Sequence, residues 1–303
     1  MTAWVIETKN LTKRYKKGTA LASVNLKIEK GCIYGLVGRN GAGKTTLLKL
    51  LAGHALPSEG QIHLFGAEGN LNRPRRRIGT IVEHPAFFPE LTGHQNLEYY
   101  RIQKGILEKN AVDKAIKDMG LQELAGKKYK EYSLGNKQRL GLALALLGNP
   151  DLLLLDEPIN GFDPIGIGEI RKLLLELNQK RHITILISSH NLPELENLMT
   201  RVGFIHHGHL IEELDMNQLQ EKCQTHIQLQ VDKGKKAVAV LEQQLSIHHY
   251  EVLPDQVLKI YGEKQLIPHI SRVLNQNGIQ VYGLKEVGVS LEEYFTGLVG
   301  DDK

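Results

Sequence analysis

The chain has 303 residues, of which 41% are hydrophobic and 24% charged, with a formal net charge of +4. That length allows about two domains with a sizeable core, and the small charge excess, taken as a total, says little about polyanionic partners. No apolar run approaches the roughly 18 residues of a membrane span, and the two distant cysteines, Cys32 and Cys223, match no metal or redox spacing.

The first residues, MTAWVIETKN, carry no basic-then-apolar leader, so a cytoplasmic location is expected. Trp4 to Thr8 and Leu26 to Ile28 alternate as half-buried strands do, and Ile33 to Val37 is a continuous apolar strand. After Gly38 the period turns helical, with Leu47, Leu48, Leu50, Leu51 and Ala52, and stops at Gly53. Residues 90 to about 147 have helical spacing and form an inserted lobe. Leu152 to Leu155 is again a short apolar strand, Ile170 to Leu177 a helix and Ile183 to Ile187 a strand. Such alternation predicts an α/β fold, a largely parallel sheet covered on both sides. The basic runs Arg73-Pro74-Arg75-Arg76-Arg77 and Lys127-Lys128-Tyr129-Lys130 sit at turns and read as solvated faces; no nucleic acid partner is expected.

Past about Leu214 the texture changes. Ile227-Leu229-Val231, Tyr250-Val252, Val257 to Tyr261 and Ile279 to Leu284 read as strands, and Ala237 to Leu245 and Leu266 to Leu274 as helices. The order β-α-β-β-α-β suits a small α+β domain of split βαβ type over 215–303, behind a first domain over 1–214. Ser290 to Val299 reads as a closing amphipathic helix. Ile205-His206-His207-Gly208-His209 lacks a carboxylate or cysteine to complete a metal site and reads as a hairpin turn.

The chemistry concentrates in the first domain. Gly38-Arg39-Asn40-Gly41-Ala42-Gly43-Lys44-Thr45 fits the pattern G-x-x-x-x-G-K-[ST] and lies between a strand and a helix, as a phosphate loop must. Its glycines allow successive amides to turn toward phosphate oxygens, and the following helix adds its positive end. Lys44 has the reach for β- and γ-phosphates, and the Thr45 hydroxyl suits Mg2+. The strand Leu152 to Leu155 ends in Asp156-Glu157, with Asp156 suited to the Mg2+ shell and Glu157 to polarising a water. Ser188-Ser189-His190 closes the next strand. One helix joins the two strands, so their C-terminal ends should lie side by side, with His190 at the γ-phosphate. A second anion-friendly feature, Ser133-Leu134-Gly135-Asn136, heads an apolar helix 90 residues downstream.

These segments, GRNGAGKTT (38 to 46), YSLGNKQR (132 to 139), LLLLDEP (152 to 158), NGFDP (160 to 164) and SSH (188 to 190), resemble the ATP-binding subunits of ABC transporters in kind and order. The resemblance covers roughly residues 4 to 214 and implies a P-loop ABC ATPase cassette with an inserted helical lobe. It also implies ATP and Mg2+ as ligands and an ATP-dependent head-to-tail homodimer. In that dimer Ser133 and Gly135 of one copy cap the ATP held by Gly38 to Thr46, including Thr46 itself, of the other, which explains the second anion cradle. Tyr15 matches the aromatic that stacks on adenine, and Asp163 belongs to the matched NGFDP turn.

Two departures matter. The head of the second cradle reads Tyr132-Ser133-Leu134-Gly135-Asn136 where the family has Leu-Ser-Gly-Gly-Gln. Glu83 stands where most members have a glutamine that reaches Mg2+, which adds a negative charge near the γ-phosphate. Glu83, the PAFFP after it, SLGNKQRLGLA and the terminal LEEYFTGLVG resemble a narrower branch, the ATPase subunits of bacitracin and lantibiotic exporters. That resemblance implies export of, or immunity to, an antimicrobial peptide through a separate permease, with this chain peripheral on the cytoplasmic face of the membrane. The alternative is a soluble ABC ATPase acting on ribosomes, DNA or a regulatory target.

Overall fold

The computed structural model describes residues 4–82, 86–160, 162–223, 226–261 and 264–300. The chain forms two units, residues 1–216 and 217–303.

In the first unit β1 (Trp4–Tyr15) and β2 (Gly18–Glu29) form a hairpin, and β3 (Ile33–Val37) leads through the glycine loop into α1 (Lys44–Ala52). There follow β4 (Glu59–Leu64), α2 (Asn72–Arg75), β5 (Ile78–Ile81), α3 (Gly93–Gln103), α4 (Ala111–Asp118) and α5 (Leu134–Leu146). The unit finishes with β6 (Leu152–Asp156), α6 (Pro164–Arg181), β7 (Thr184–Ser189), α7 (Leu192–Leu195), β8 (Arg201–His206) and β9 (His209–Asp215).

Six of these strands form one sheet in the order β5-β6-β7-β3-β8-β9, parallel except for the β8–β9 hairpin. The central strands are apolar on both faces because helices cover both; Leu152 to Leu155 are each 0% exposed. Burial of such a leucine contributes about 1.5–3 kcal/mol. This is the largely parallel sheet expected from the alternation, and a second, antiparallel sheet lies beside it in the sequence order. The β1–β2 hairpin, closed by a two-residue turn that only antiparallel strands permit, pairs with β4 in a separate sheet of order β2-β1-β4. Both sheets contribute to one core, in which Ile6, Leu11 and Leu26 pack with Leu36, Leu47 and Leu154.

The helices start and stop as their sequences dictate. Asp163 caps α6, its Oδ1 accepting from Gly166 N at 2.7 Å with Pro164 following, and His182 at φ 54° ends it. Thr92 and Gln95 form a reciprocal capping box on α3. The basic runs are mostly exposed, as expected, with Arg75 the part-buried exception. Arg75 donates to the carbonyls of Leu51 and Leu50, the open end of α1, at 3.2 and 3.1 Å. Arg77 lies 3.9 Å over the Phe65 ring and bonds Asp151 at 2.7 Å, while Lys128 and Lys130 share Glu90. Cys32 is held beside Thr200, and burial raises its thiol above the ordinary range, which lowers its thiolate fraction.

The second unit contains α8 (Met216–Cys223), β10 (His226–Val231), α9 (Gly234–Leu245), β11 (Tyr250–Leu253), β12 (Val257–Ile260), α10 (Ile267–Gln276), β13 (Val281–Val287) and α11 (Leu291–Val299). Its sheet has the order β11-β12-β10-β13 with every neighbour antiparallel. The alternation in β10 puts Ile227, Leu229 and Val231 on one face, where Ala237 and Leu241 of α9 and Ile270 and Leu274 of α10 cover them.

Asn96 of α3 was not singled out by its sequence context, yet it is 0% exposed and organises the loop before the helix. Its Oδ1 accepts from Phe88 N at 2.8 Å, and its Nδ2 lies within 3.3 Å of the carbonyls of Phe88, Leu91 and Thr92. Asn96→Ala strands at least two of these part-buried backbone groups, at about 1–3 kcal/mol each. A loss of about 2–4 kcal/mol in unfolding free energy of the first unit, read from its denaturant midpoint, is the expected outcome.

Candidate nucleotide site

The glycine loop follows β3 and is fixed at both ends. Gly38 N donates to Ser189 O of β7 at 3.3 Å, and Ala42 O accepts from Gly208 N of the β8–β9 turn at 2.9 Å. Gly43 caps α1 at φ 113°, a conformation that only glycine adopts readily, and a Cβ there would lie 2.7 Å from Ala20 O of β2. Asn40 and Gly41 form the exposed crest of the loop, and Thr45 and Thr46 follow in the first turn of α1.

The Lys44 side chain folds back under this crest and is 5% exposed. Its Nζ donates to Gly38 O at 2.6 Å and Arg39 O at 3.3 Å, and pairs with Glu157 Oε1 at 3.3 Å. Burying an ammonium demands such partners. Parallel pairing of β6 with β7 sets Asp156 opposite Ser188. Asp156 Oδ2 accepts from Thr45 Oγ1 at 2.7 Å, and its Oδ1 from Ser188 Oγ at 2.6 Å. Ser188 Oγ also accepts from Glu157 N at 3.0 Å, holding Glu157 at φ 48°, a left-handed backbone uncommon outside glycine. The second oxygen of Glu157 bonds His190 Nδ1 at 2.8 Å.

Lys44, Thr45, Asp156, Glu157 and His190 are thus one bonded network at the C-terminal ends of β3, β6 and β7. Ser188, which the sequence shows only as the first residue of SSH, joins this network through its register with Asp156. Tyr15 lies at the end of β1, 47% exposed, with Lys13 Nζ 5.0 Å from its ring centre. It pairs with Gly18, two residues before the Ala20 that walls Gly43. Ser133 caps α5, accepting from Asn136 N at 3.4 Å, and is exposed together with Leu134. Among the described residues, Ser133 and Gly135 make no bond to the Lys44 network. Asp163 serves as the cap of α6. Glu83 lies outside the described residues.

The His206-to-His209 segment is the turn expected of it, with His206 opposite His209. Among the described residues no group of three metal-binding side chains of the His, Cys, Asp or Glu type occurs. For Mg2+ the relevant donors are the Thr45 hydroxyl and Asp156 carboxylate, two hard oxygens already in contact, which suit a cation that takes few protein ligands.

The ABC transporter family model matches residues 21–160, and a model described as AAA domain, putative AbiEii toxin, Type IV TA system, matches residues 127–196. The bacitracin transport ATP-binding protein BcrA of Enterococcus faecalis is 41% identical over 299 residues, 98% of this chain and 97% of that one. Its namesake in Bacillus licheniformis is 43% identical over 298 residues with the same coverage. The lantibiotic transport ATP-binding protein SrtF of Streptococcus pyogenes is 41% identical over 209 residues, 69% of this chain and 90% of that one. Among solved structures, the dimeric post-hydrolysis ATP-binding cassette MJ0796 bound to ADP and Pi superposes with a TM-score of 0.64 at 27% identity, over 70% of this chain and 98% of its own. CbiO1 of Clostridium perfringens, part of the transporter complex cbiONQ, gives 0.66 at 26% identity, over 81% and 97%. The chain belongs to the ATP-binding proteins of ABC transporters, a family of ATPases that work in transport.

Proposed function

We propose that this chain is the motor of an antimicrobial-peptide exporter, hydrolysing MgATP in sites shared between two copies and driving a separate permease. The observation that carries the catalytic part is the single network joining Lys44, Thr45, Asp156, Glu157 and His190. In this reading the amides of Gly38 to Thr46 and the Lys44 ammonium bind the β- and γ-phosphates, and Tyr15 stacks on adenine. Thr45 and Asp156, with Glu83 as a further oxygen donor, hold Mg2+, which neutralises phosphate charge when bound. Glu157 takes a proton from water as the water oxygen bonds to the γ-phosphorus. The bond from that phosphorus to the β–γ bridging oxygen breaks, and ADP and phosphate leave. His190, fixed by Glu157, and Ser133 and Gly135 of the second copy donate to the γ-phosphate oxygens.

The exposed position of Ser133, which makes no bond to the Lys44 network among the described residues, supports the shared site. The solved relative MJ0796 is itself dimeric. For the permease, the loop that Asn96 organises carries Phe88 beside Tyr99, ring centres 4.9 Å apart, both more than two-fifths exposed. With Ile102, 64% exposed, they offer an apolar seat for a permease helix. Among the described residues no helix is long and apolar enough to cross a membrane, so attachment to its cytoplasmic face falls to that partner. For the cargo, likeness to the bacitracin transport relatives extends over 98% of the chain, against 69% for the lantibiotic relative, and favours a bacitracin-like peptide.

Glu157→Gln is expected to lower hydrolysis by at least about 100-fold and to convert the protein, on adding MgATP, from monomer to dimer by light scattering. Ser133→Arg on that background is expected to abolish the dimer while leaving MgATP binding to the monomer in place; persistence of the dimer would remove Ser133 from the site. Cells expressing the chain with its permease should tolerate more bacitracin than cells expressing the permease with Glu157→Gln, and an equal inhibitory concentration would refute the cargo reading.

A further inference from the structure

Ser188 ends its strand fully buried, at 0% exposure, in register with Asp156. A serine hydroxyl has one hydrogen to donate and lone pairs with which to accept. The hydrogen goes to Asp156 Oδ1 at 2.6 Å, and a lone pair takes the Glu157 amide at 3.0 Å. The hydroxyl therefore has a fixed direction, from the Glu157 backbone toward the Asp156 carboxylate. Asp156 does not need this bond for its contact with Thr45, which uses the other oxygen, Oδ2, at 2.7 Å. Glu157 depends on it more heavily. Its φ of 48° is a left-handed conformation that a residue with a side chain keeps only where its surroundings hold it, and the residue after it is Pro158, which favours an extended backbone at position 157. The direction of the Glu157 carboxylate, with Lys44 Nζ at 3.3 Å from one oxygen and His190 Nδ1 at 2.8 Å from the other, follows from that backbone.

We propose that Ser188 is a positioning residue for hydrolysis, its hydroxyl aligned by Asp156 Oδ1 and clamping the Glu157 backbone so that the carboxylate faces the attacking water. The proposal deepens the reading of Glu157 as the proton acceptor and rests on it. It also divides the Asp156 carboxylate between two duties. Oδ2, beside Thr45, is the oxygen offered to Mg2+, while Oδ1 orients the Ser188 hydroxyl. Removing that hydroxyl leaves the phosphate loop, Lys44 and the Thr45–Asp156 pair in place but releases Glu157 toward the extended backbone. Misplacing a reacting group by on the order of 1 Å lowers a rate by about 100-fold.

The test uses the full chain with Ser188→Ala, which removes the hydroxyl, and Ser188→Cys, which keeps its shape but bonds weakly and carries the test should the alanine variant not fold. In both, kcat is expected to fall by about 10–100-fold with KM for MgATP within about threefold of native. On a Glu157→Gln background the same substitutions should lower the residual single-turnover rate by less than about twofold, because a residue that acts through Glu157 has nothing left to position. On that background, too, affinity for Mn2+ in the presence of ATP, read from the Mn2+ electron paramagnetic resonance signal, should stay within about threefold, since Oδ2 and Thr45 are untouched. An unchanged kcat in both variants overturns the proposal. A loss on Glu157→Gln as large as in the native chain also overturns it, by making Ser188 a support of the whole site, as does a fall in Mn2+ affinity beyond about tenfold, which would assign the hydroxyl to the cation. A Glu157→Gln chain that hydrolyses at the native rate is a separate failure: it removes Glu157 as the proton acceptor, whatever Ser188 does.

Discussion

The carboxylate of Asp156 holds the nucleotide site in register. It receives the Thr45 hydroxyl from α1 on one oxygen and the Ser188 hydroxyl from β7 on the other. Three elements distant in sequence are thereby fixed to within hydrogen-bond tolerance. The arrangement is available only because β6 and β7 are parallel neighbours whose buried leucines and isoleucines fix the pairing, with Asp156 opposite Ser188 at the end of the run. A slip of one residue would turn Asp156 to the other face and lose both bonds. The core thus sets the chemistry through register, and the hydroxyls make that register sensitive to what the carboxylate binds.

A chain of charge runs beside this bridge. Lys44 pairs with one oxygen of Glu157, and His190 bonds the other. The buried ammonium is tolerated because two loop carbonyls and the carboxylate surround it. In the proposed reaction the same ammonium serves phosphate, so the partners of Glu157 change with nucleotide state. The left-handed backbone at Glu157, held by Ser188, keeps the carboxylate between Lys44 and His190. On the far side of that residue, Glu157 O accepts from Asn160 N, and Gln138 of α5 donates to the Asn160 carbonyl.

Much of this was legible in the sequence because it depends on local rules. A glycine loop between a strand and a helix, a capped helix at Ser133 and an acidic pair ending an apolar strand are written in consecutive residues. Other features were not, because they arise from chain segments that meet only in three dimensions. The β1–β2 hairpin leaves the main sheet to pair with β4, a strand of mixed composition, Glu59–Leu64, that shows weak alternation. Arg75 and Arg77 read as a solvated run, yet one closes α1 and the other stacks on Phe65. Asn96 gives no hint of burial, since its partners are backbone groups of a loop with no periodicity. Phe162 stands in a turn, where an aromatic reads as incidental until two glycines from different helices are found against it.

The central claim is that one copy completes the site of the other, and mixing two inactive variants tests it most directly. Lys44→Ala disables a chain's own phosphate loop, and Ser133→Arg disables what it lends to its partner. A mixed dimer of the two still contains one site with an intact loop from one chain and an intact cap from the other. ATPase activity of the mixture well above that of either variant alone is the predicted result. A mixture as inactive as its components would contradict the shared site.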